Sequence, residues 1–260
     1  MHANDIGYNN TAGGVNALYA NISGNCNTSL GAYSNFVNTT SHNNTCVGFQ
    51  AGDVYTFSNG TFLGTTSYPT ASGFSNCMAL GYDARVDASN KVVIGNTAVT
   101  KIGGYVGWTT YPSDGAFKKN VSENVPGLTF IRQLRPVTYN VDLAAIDAAL
   151  NSDKPVTLRE GDKPREKSPE EIQAAIDKSS IVYTGFIAQE VEAVAKSIGF
   201  DFSGVDAPKD ANGHYGLRYA EFVVPLEKAM QEQQSMIDQL KKENDDLRQR
   251  LEKIELLLNK

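Results

Sequence analysis

The first hundred residues repeat one short pattern: most often a small or polar residue, then an aliphatic residue, then glycine. The glycines of five regular copies are 17, 16, 17 and 14 residues apart. A period this short excludes helical hairpin repeats, which need more than about 30 residues. It predicts a β-solenoid with one short strand per coil, and with Gly and Asn in left-handed conformations at the corners. The five copies are Ser29-Leu30-Gly31, Cys46-Val47-Gly48, Phe62-Leu63-Gly64, Ala79-Leu80-Gly81 and Val93-Ile94-Gly95.

The same pattern suggests how each coil is filled. We expect the aliphatic residues to point inward and form a thin core, with Asn and Thr in ladders along the outside. Asp5-Ile6-Gly7 is interpreted as an earlier, less regular turn, and Cys46 as a small filler residue. Gly, Asn, Thr and Ser supply 53 of the first 112 residues, and such residues disfavour amphipathic helices. A low-complexity linker is the alternative, but the register persists over five copies.

These repeats, over about residues 4–104, resemble the head modules of trimeric autotransporter adhesins and the matching modules in phage tail fibres. The resemblance implies a left-handed, trimeric β-roll that serves as a shaft, a head or a binding element. A receptor or glycan on a host-cell surface is the external partner that this implies.

A heptad repeat begins at Val223. Nine of its eleven seam positions are apolar, which predicts a coiled-coil helix over residues 223–260. The polar exceptions, Gln233 and Asn244, are expected to fix register at a cost in stability. A surface helix packed on its own domain would show a wider apolar stripe. The seam leaves the number of strands open, and the β-roll resemblance favours three. The seam consists of Val223, Leu226, Met230, Gln233, Ile237, Leu240, Asn244, Leu247, Leu251, Ile254 and Leu258.

The stretch between the repeats and the heptads carries short-range signals of mixed structure. Pro112-Ser113-Asp114-Gly115 predicts a turn, and the apolar spacing from Leu128 to Leu134 predicts a short helix that ends before Pro136. Residues 137–141 alternate as a strand does, and residues 182–188 predict a strand that passes into a helix. We therefore expect a small α+β domain here.

Charge is concentrated in the second part of the chain. Residues 1–112 hold 3 basic and 4 acidic residues, within a chain of net charge −6. This balance argues against a nucleic-acid partner held by phosphate contacts. Residues 151–180 are a charged insertion that we expect to face solvent. Ser168-Pro169-Glu170-Glu171 predicts the capped start of a short helix that runs to about Lys178.

Four sequence blocks follow one another in this part of the chain: Ser113-Asp114-x-x-x-Lys118-x-Asn120-Val121, Leu134-Arg135-Pro136-Val137-Thr138-Tyr139, Gly185-Phe186-Ile187-Ala188-Gln189-Glu190-Val191 and Tyr215-Gly216-Leu217-Arg218-Tyr219. Over about residues 113–235 they resemble the intramolecular chaperone domain, or peptidase S74 family, of phage tail spikes, endosialidases and related fibres. That family folds a trimeric β-structured shaft and then cuts itself off with a Ser-Lys dyad. The resemblance implies that Ser113 and Lys118 are catalytic, with Asp114 and Gln189 in support.

The chemistry of such a dyad requires a neutral lysine. Serine is a poor nucleophile until a base removes its proton, and a free lysine, with a pKa of about 10.4, is protonated at neutral pH. Burial away from water lowers the pKa of a lysine. We therefore expect trimer assembly to close around Lys118 and to arm cleavage next to Ser113. The cut bond is either that between residues 112 and 113 or that between residues 113 and 114.

Two other functions remain as alternatives. The family typically has Arg three residues after the serine, where this chain has Ala116, so a fibre tip that keeps its chaperone domain uncut is one alternative. An enzyme acting on an external polysaccharide is the other. It is disfavoured because glycosidases need two carboxylates close together, and those of the repeats are scattered at Asp5, Asp53, Asp83 and Asp87.

The expected organisation is a solenoid (1–104), a junction (105–112), an S74-like domain (113–222) and a coiled coil (223–260). Neither a signal peptide nor a membrane span is written in this sequence. Three cysteines without a Cys-x-x-Cys pair give poor support to a disulfide framework or a zinc site, and no cofactor is predicted. We expect a homotrimer that is the tail of a longer fibre protein, located in a virion tail fibre or at a cell surface.

Overall fold

The computed structural model describes residues 1–151, 168–208 and 213–258. The chain forms two compact units, one of residues 1–105 with 140–182 and one of residues 106–139 with 183–260. Most of the loop within the predicted insertion, and the last two residues of the predicted coiled coil, lie outside the described residues.

The repeats form the predicted β-solenoid, with about five turns over residues 11–94. Its main sheet is parallel and pairs each strand with the equivalent strand of the next coil. Two further short strands, β5 (Tyr68–Pro69) and β7 (Arg85–Val86), pair in a second parallel sheet. The main sheet consists of β1 (Thr11–Gly13), β2 (Thr28–Leu30), β3 (Thr45–Val47), β4 (Phe57–Leu63), β6 (Phe74–Leu80) and β8 (Val92–Ile94).

The first coil is not where the sequence pattern places it. Its strand is Thr11–Gly13 rather than the segment at Asp5-Ile6-Gly7, and Gly13 pairs with Leu30 of the next coil. A glycine therefore occupies the aliphatic position of this coil, so the pattern of an aliphatic residue followed by glycine does not reveal it.

The aliphatic residues of the repeat point outward, contrary to the expectation from the sequence. Leu30, Val47, Leu63 and Ile94 keep 37–42% of their surface exposed, while Leu80 is half-buried. Neighbouring residues of a strand face opposite sides, and the residue before each aliphatic one faces the interior. The narrow interior accepts mostly small side chains, with the rings of Phe57 and Phe62 packed 4.5 Å apart. The inward residues include Ser29, Cys46, Phe62 and Ala79, which confirms Cys46 as a filler residue.

Asparagine ladders run both inside and outside the solenoid. An outer ladder is present as predicted, with Asn43 donating to Asn59 at 3.0 Å and Asn59 donating to Ser75 at 3.0 Å. The expectation that all Asn lie outside is wrong, because Asn27 and Asn44 are fully buried. The Asn27 Oδ1 atom accepts the backbone N–H of Asn44 at 3.0 Å. Buried amides therefore satisfy backbone donors between coils that a hydrocarbon core would leave unpaired.

Positive φ angles mark the corners of the coils, as predicted. Asn16 and Asn35 have φ of 55° and 48°, in the left-handed region. The repeat glycines Gly31 and Gly48 have φ of 126° and 131°. A β-carbon on Gly31 would lie 2.4 Å from the Gly48 carbonyl oxygen, so glycine also permits the close approach of successive coils.

Two helices from the predicted insertion belong to the same unit as the solenoid. They are α2 (Leu143–Asn151) and α3 (Pro169–Ser180). The start of α3 is the predicted capping box, in which Ser168 and Glu171 exchange hydrogen bonds between side chain and backbone.

The second unit is a small mixed α/β structure followed by a long helix. The predicted short helix and strands are present, although each is shorter than the pattern suggests. An aromatic and aliphatic core of Phe130, Val191, Ala195, Phe202 and Phe222 holds the elements together. They are α1 (Leu128–Ile131), β9 (Val137–Tyr139), β10 (Tyr183–Gly185), α4 (Ala188–Ser197), β11 (Val205–Asp206), β12 (Gly216–Leu217) and α5 (Val223–Leu258), with 3₁₀ turns at Gly115–Phe117 and Tyr219–Phe222.

Candidate functional site

The candidate residues near the start of the S74-like region lie around one short 3₁₀ turn, Gly115–Phe117. The turn begins two residues later than the predicted turn at Pro112, because its backbone bonds run from Phe117 N–H to the Asp114 oxygen and from Lys118 N–H to the Gly115 oxygen. Ser113 precedes this turn and Lys118 ends it. Both residues are exposed to solvent in the single copy.

Asp114 holds the start of this turn. Its Oδ1 atom accepts the backbone N–H of Ala116 at 2.8 Å. A side chain that accepts from the residue two positions on is the usual way in which Asp initiates a turn. The N–H of Ala116 is therefore occupied, and the Ala116 side chain takes no part in this contact.

The segment around the turn is extended and rich in exposed aromatic residues. Residues 101–124 are all exposed, and they include Tyr105, Trp108, Tyr111 and Phe117. Apolar rings in water are unfavourable, and scattered single ones are common on protein surfaces. Here, however, they flank the candidate residues in one continuous stretch.

Gln189 lies apart from this turn in the sequence and in its secondary structure. It is the second residue of α4, where it is exposed. Within the described part of the chain, no hydrogen bond joins Gln189 to the 3₁₀ turn. The structure thus brings Ser113, Asp114 and Lys118 to one turn and places Gln189 on a separate element.

The sequence blocks beyond the first one contact each other and build the domain. Arg135 of the second block makes a bidentate ion pair with Glu190 of the third, with N–O distances of 3.1 Å and 2.5 Å. The pair raises the pKa of the Arg135 guanidinium above its usual value, because the Glu190 carboxylate accepts its hydrogen bonds. The ion pair borders a shallow pocket whose apolar wall includes Phe186 and Val191.

A second contact joins the third and fourth blocks. The Tyr219 hydroxyl oxygen accepts the backbone N–H of Phe186 at 3.1 Å. A β-carbon on Gly185 would lie 2.2 Å from that oxygen, so only glycine fits beneath the tyrosine. Sequence reasoning missed the role of Arg135, Gly185, Glu190 and Tyr219 in positioning these elements, since pairing between distant blocks is not visible in one sequence.

The described residues contain no cluster of three or more His, Cys, Asp or Glu side chains that could hold a metal ion. Cys26 is exposed, whereas Cys46 and Cys77 are buried thiols. Burial raises the pKa of Cys77 to about 11 and raises that of Cys46 further. The two buried cysteines are therefore held as thiols in the solenoid core.

The comparison with known families agrees with these contacts. Residues 113–200 match the Peptidase_S74 family, described as the chaperone of endosialidase. This part of the chain is therefore an S74 intramolecular chaperone domain, of the type typical of the C-termini of phage tail fibres and endosialidases. No curated protein and no solved structure matches the chain. Among the described helices, none has the length and apolarity needed to cross a bilayer.

Proposed function

We propose that this chain is the C-terminal part of a protein like a tail fibre or tail spike, and that its S74 domain drives three copies to assemble and then cuts the chain next to Ser113. The observation that best supports assembly is a pair of apolar surfaces that the single copy leaves exposed, one on the solenoid and one on α5. A virion tail fibre is the location that this function implies, and a host-cell receptor or glycan bound by the solenoid remains part of the proposal.

The solenoid surface is the outward row of aliphatic residues, which we call the aliphatic row. Parallel pairing in register stacks its members at about 4.8 Å from coil to coil. Such a continuous apolar strip costs free energy in water and is typical of protein interfaces. A second copy with the same straight row is the surface that matches it in length and chemistry. The row consists of Leu30, Val47, Leu63, Leu80 and Ile94.

The long helix α5 uses one face for its own domain and leaves another face free. Pro225 and Ala229 are buried, and the Glu232 carboxylate accepts the N–H of Leu128 at 2.8 Å. A β-carbon on Gly127 would lie 2.7 Å from the Ala229 nitrogen, so α1 lies directly against this face.

The heptad seam lies on a different side of α5. Pro225, Ala229 and Glu232 follow a spacing of four and three residues, which defines one side of a helix, and the seam positions are offset from it by about a quarter of a turn or more. The nine apolar seam residues are 40–79% exposed. Burial of this seam therefore requires other copies of the helix. The S74 family implies that the assembly is trimeric.

Assembly also supplies the environment that cleavage needs. The Ser113 hydroxyl and the Lys118 amine lie at opposite ends of one exposed turn, where water stabilises a charged lysine. Closure of further copies over the exposed aromatic stretch would remove that water and favour the neutral amine. Ser113 is then the nucleophile and Lys118 the base, Asp114 shapes the turn, and Gln189 is assigned a supporting role that requires a rearranged or second copy.

A denaturing gel of freshly expressed protein tests the cleavage. Self-cleavage gives fragments of about 112 and 148 residues. The Lys118→Arg variant should lose about 100-fold or more in cleavage rate, as expected when a general base is removed, and should still assemble. The neighbouring Lys119→Arg variant is the matched control and should cut normally. Normal cutting by Lys118→Arg would exclude Lys118 as the base.

A fibre tip that stays uncut is the second candidate function. Ala116 favours it, because the position typically holds Arg in the family and here has no charge to offer the site. One intact band on the same gel, together with a trimeric mass in solution, would support the uncut tip and contradict cleavage.

A further inference from the structure

Part of the S74 region belongs to the solenoid unit. Helices α2 and α3 follow Ser113 in the chain, yet residues 140–182 form one compact unit with residues 1–105. The sequence predicts a solvent-facing insertion here, and the structure instead gives it specific contacts with the segment that follows β8, the last strand of the main sheet.

These contacts are hydrogen bonds to one short segment. The Lys178 amine donates to the carbonyl oxygens of Thr97 at 2.5 Å and Val99 at 2.7 Å. The Thr97 hydroxyl donates to the Asp147 carboxylate at 2.8 Å. We call this set the α2–α3 clamp. It uses one side chain from each helix and thereby fixes both helices to the end of the solenoid.

The end of a solenoid has a particular need for such donors. Inside the solenoid, carbonyls accept N–H groups from the following coil, as when Leu63 O accepts from Gly81 at 2.8 Å and Leu80 O accepts from Gly95 at 2.7 Å. After β8 no further coil follows in the main sheet of the described residues. An ammonium group is a strong substitute donor, because hydrogen bonds from charged groups are roughly twice as strong as neutral ones.

We infer that the α2–α3 clamp holds the C-terminal fragment on the solenoid after the chain has been cut next to Ser113. The inference rests on the proposed cleavage. A cut there divides the covalent chain into a part that contains Thr97 and Val99 and a part that contains Asp147 and Lys178. The clamp joins these two parts, so cleavage by itself does not release the chaperone, and dissociation becomes a separate step.

The test cuts the chain without using its own chemistry. A recognition sequence for a site-specific protease is placed at Gly103, which is exposed and where a β-carbon would have no atom within 4 Å. Ser113→Ala is added to prevent self-cleavage. After cutting of the full-length protein, gel filtration under native conditions should show both fragments in one peak, and the time course of their separation gives the retention half-time.

Variants of the clamp identify its contribution. Lys178→Met should shorten the retention half-time at least tenfold, and Asp147→Asn should have a smaller effect because it weakens one bond. Lys241→Met, on the exposed part of α5, is the matched control and should leave retention unchanged. Uncut samples of every variant are checked for equal thermal unfolding, so that loss of folding is recognised.

Two results would overturn the inference: immediate separation of the unvaried fragments, or retention in Lys178→Met equal to that in the control. Failure of the proposed cleavage is seen separately, as an intact band when no protease is added to the chain with Ser113. The two failures are therefore distinguishable.

Discussion

At the scale of single residues, glycine and small side chains set the spacing of the solenoid. Gly31 combines a positive φ with an approach to the Gly48 carbonyl that leaves no room for a β-carbon. Gly73 also has a positive φ, of 86°, but no atom lies near its missing side chain. The pair therefore separates backbone strain from close approach between coils.

Alanine at these two positions should have unequal effects on stability. Gly73→Ala should lower the free energy of unfolding by about 1–2 kcal/mol through strain alone. Gly31→Ala should cost about 3 kcal/mol or more, since it adds a clash with backbone that cannot move freely. Chemical denaturation followed by circular dichroism measures both, and equal losses would contradict the close approach.

The thiols of the solenoid should differ in reactivity. Alkylation requires the thiolate, and burial raises the pKa of Cys77 to about 11, so at pH 8 this residue stays protonated. We expect Cys46 and Cys77 to react about 100-fold more slowly than exposed Cys26 in the folded protein. All three should react at similar rates in denaturant. Mass spectrometry of the alkylated peptides shows which residue is modified, and fast labelling of Cys46 would contradict the buried core.

At the scale of elements, α5 is the clearest case of a structure that one copy cannot stabilise by itself. Its 36 residues span about 54 Å, and beyond Glu232 every described residue of the helix is exposed. Helical stability in proteins comes mainly from packing of an apolar face. The seam supplies that face, and the neighbouring residues are charged or polar.

A charge in the seam should therefore disrupt self-association. Leu247→Glu places a carboxylate in the buried seam of the proposed trimer, while Gln249→Glu adds the same charge two residues away on the outer side. Light scattering should show the mass of three chains for Gln249→Glu and a smaller mass for Leu247→Glu. Identical masses would mean that the seam is not the interface.

At the scale of the whole molecule, folding, assembly and cutting are proposed to follow in that order. The dyad is exposed in one copy, and the two apolar surfaces lie on separate units, so closure of the site is a property of the assembly. Cleavage then reports that both surfaces have found their partners.

Cleavage during refolding should accordingly depend on protein concentration. When denatured chain is diluted into native buffer, the cleavage half-time should lengthen as the final concentration falls, because association of copies becomes slow. A denaturing gel of quenched time points measures it. The Leu247→Glu variant should cut slowly at every concentration. A half-time independent of concentration would show that one copy cuts itself unaided.

Much of the local structure is predictable from the sequence. The heptads predict the long helix, and Ser168 with Glu171 predicts the capped start of α3, because capping chemistry is confined to one turn. The short helix before Pro136 and the strand after it follow from equally local rules. The turn near Ser113 begins two residues later than its sequence signal, since the Asp114 side chain selects its own backbone partner.

The direction of the solenoid side chains is not predictable in the same way. Alternation along a strand defines two faces but does not say which is inside. An aliphatic residue is the usual choice for a core, and here Cys46 and Ala79 fill it while Val47 and Leu80 face out. The choice becomes understandable once the outer face is regarded as a surface for other copies.

Periodicity is the property that the amino-acid order alone specifies: a coil every 14–17 residues, a seam residue pair every seven, and the blocks of a chaperone domain in order. Such features depend on neighbours along the chain. Folding in three dimensions specifies which face of the sheet is the interior, which side of α5 its own domain covers, and that Lys178 reaches the end of the solenoid. These depend on contacts between residues far apart in sequence, whose packing no local pattern encodes.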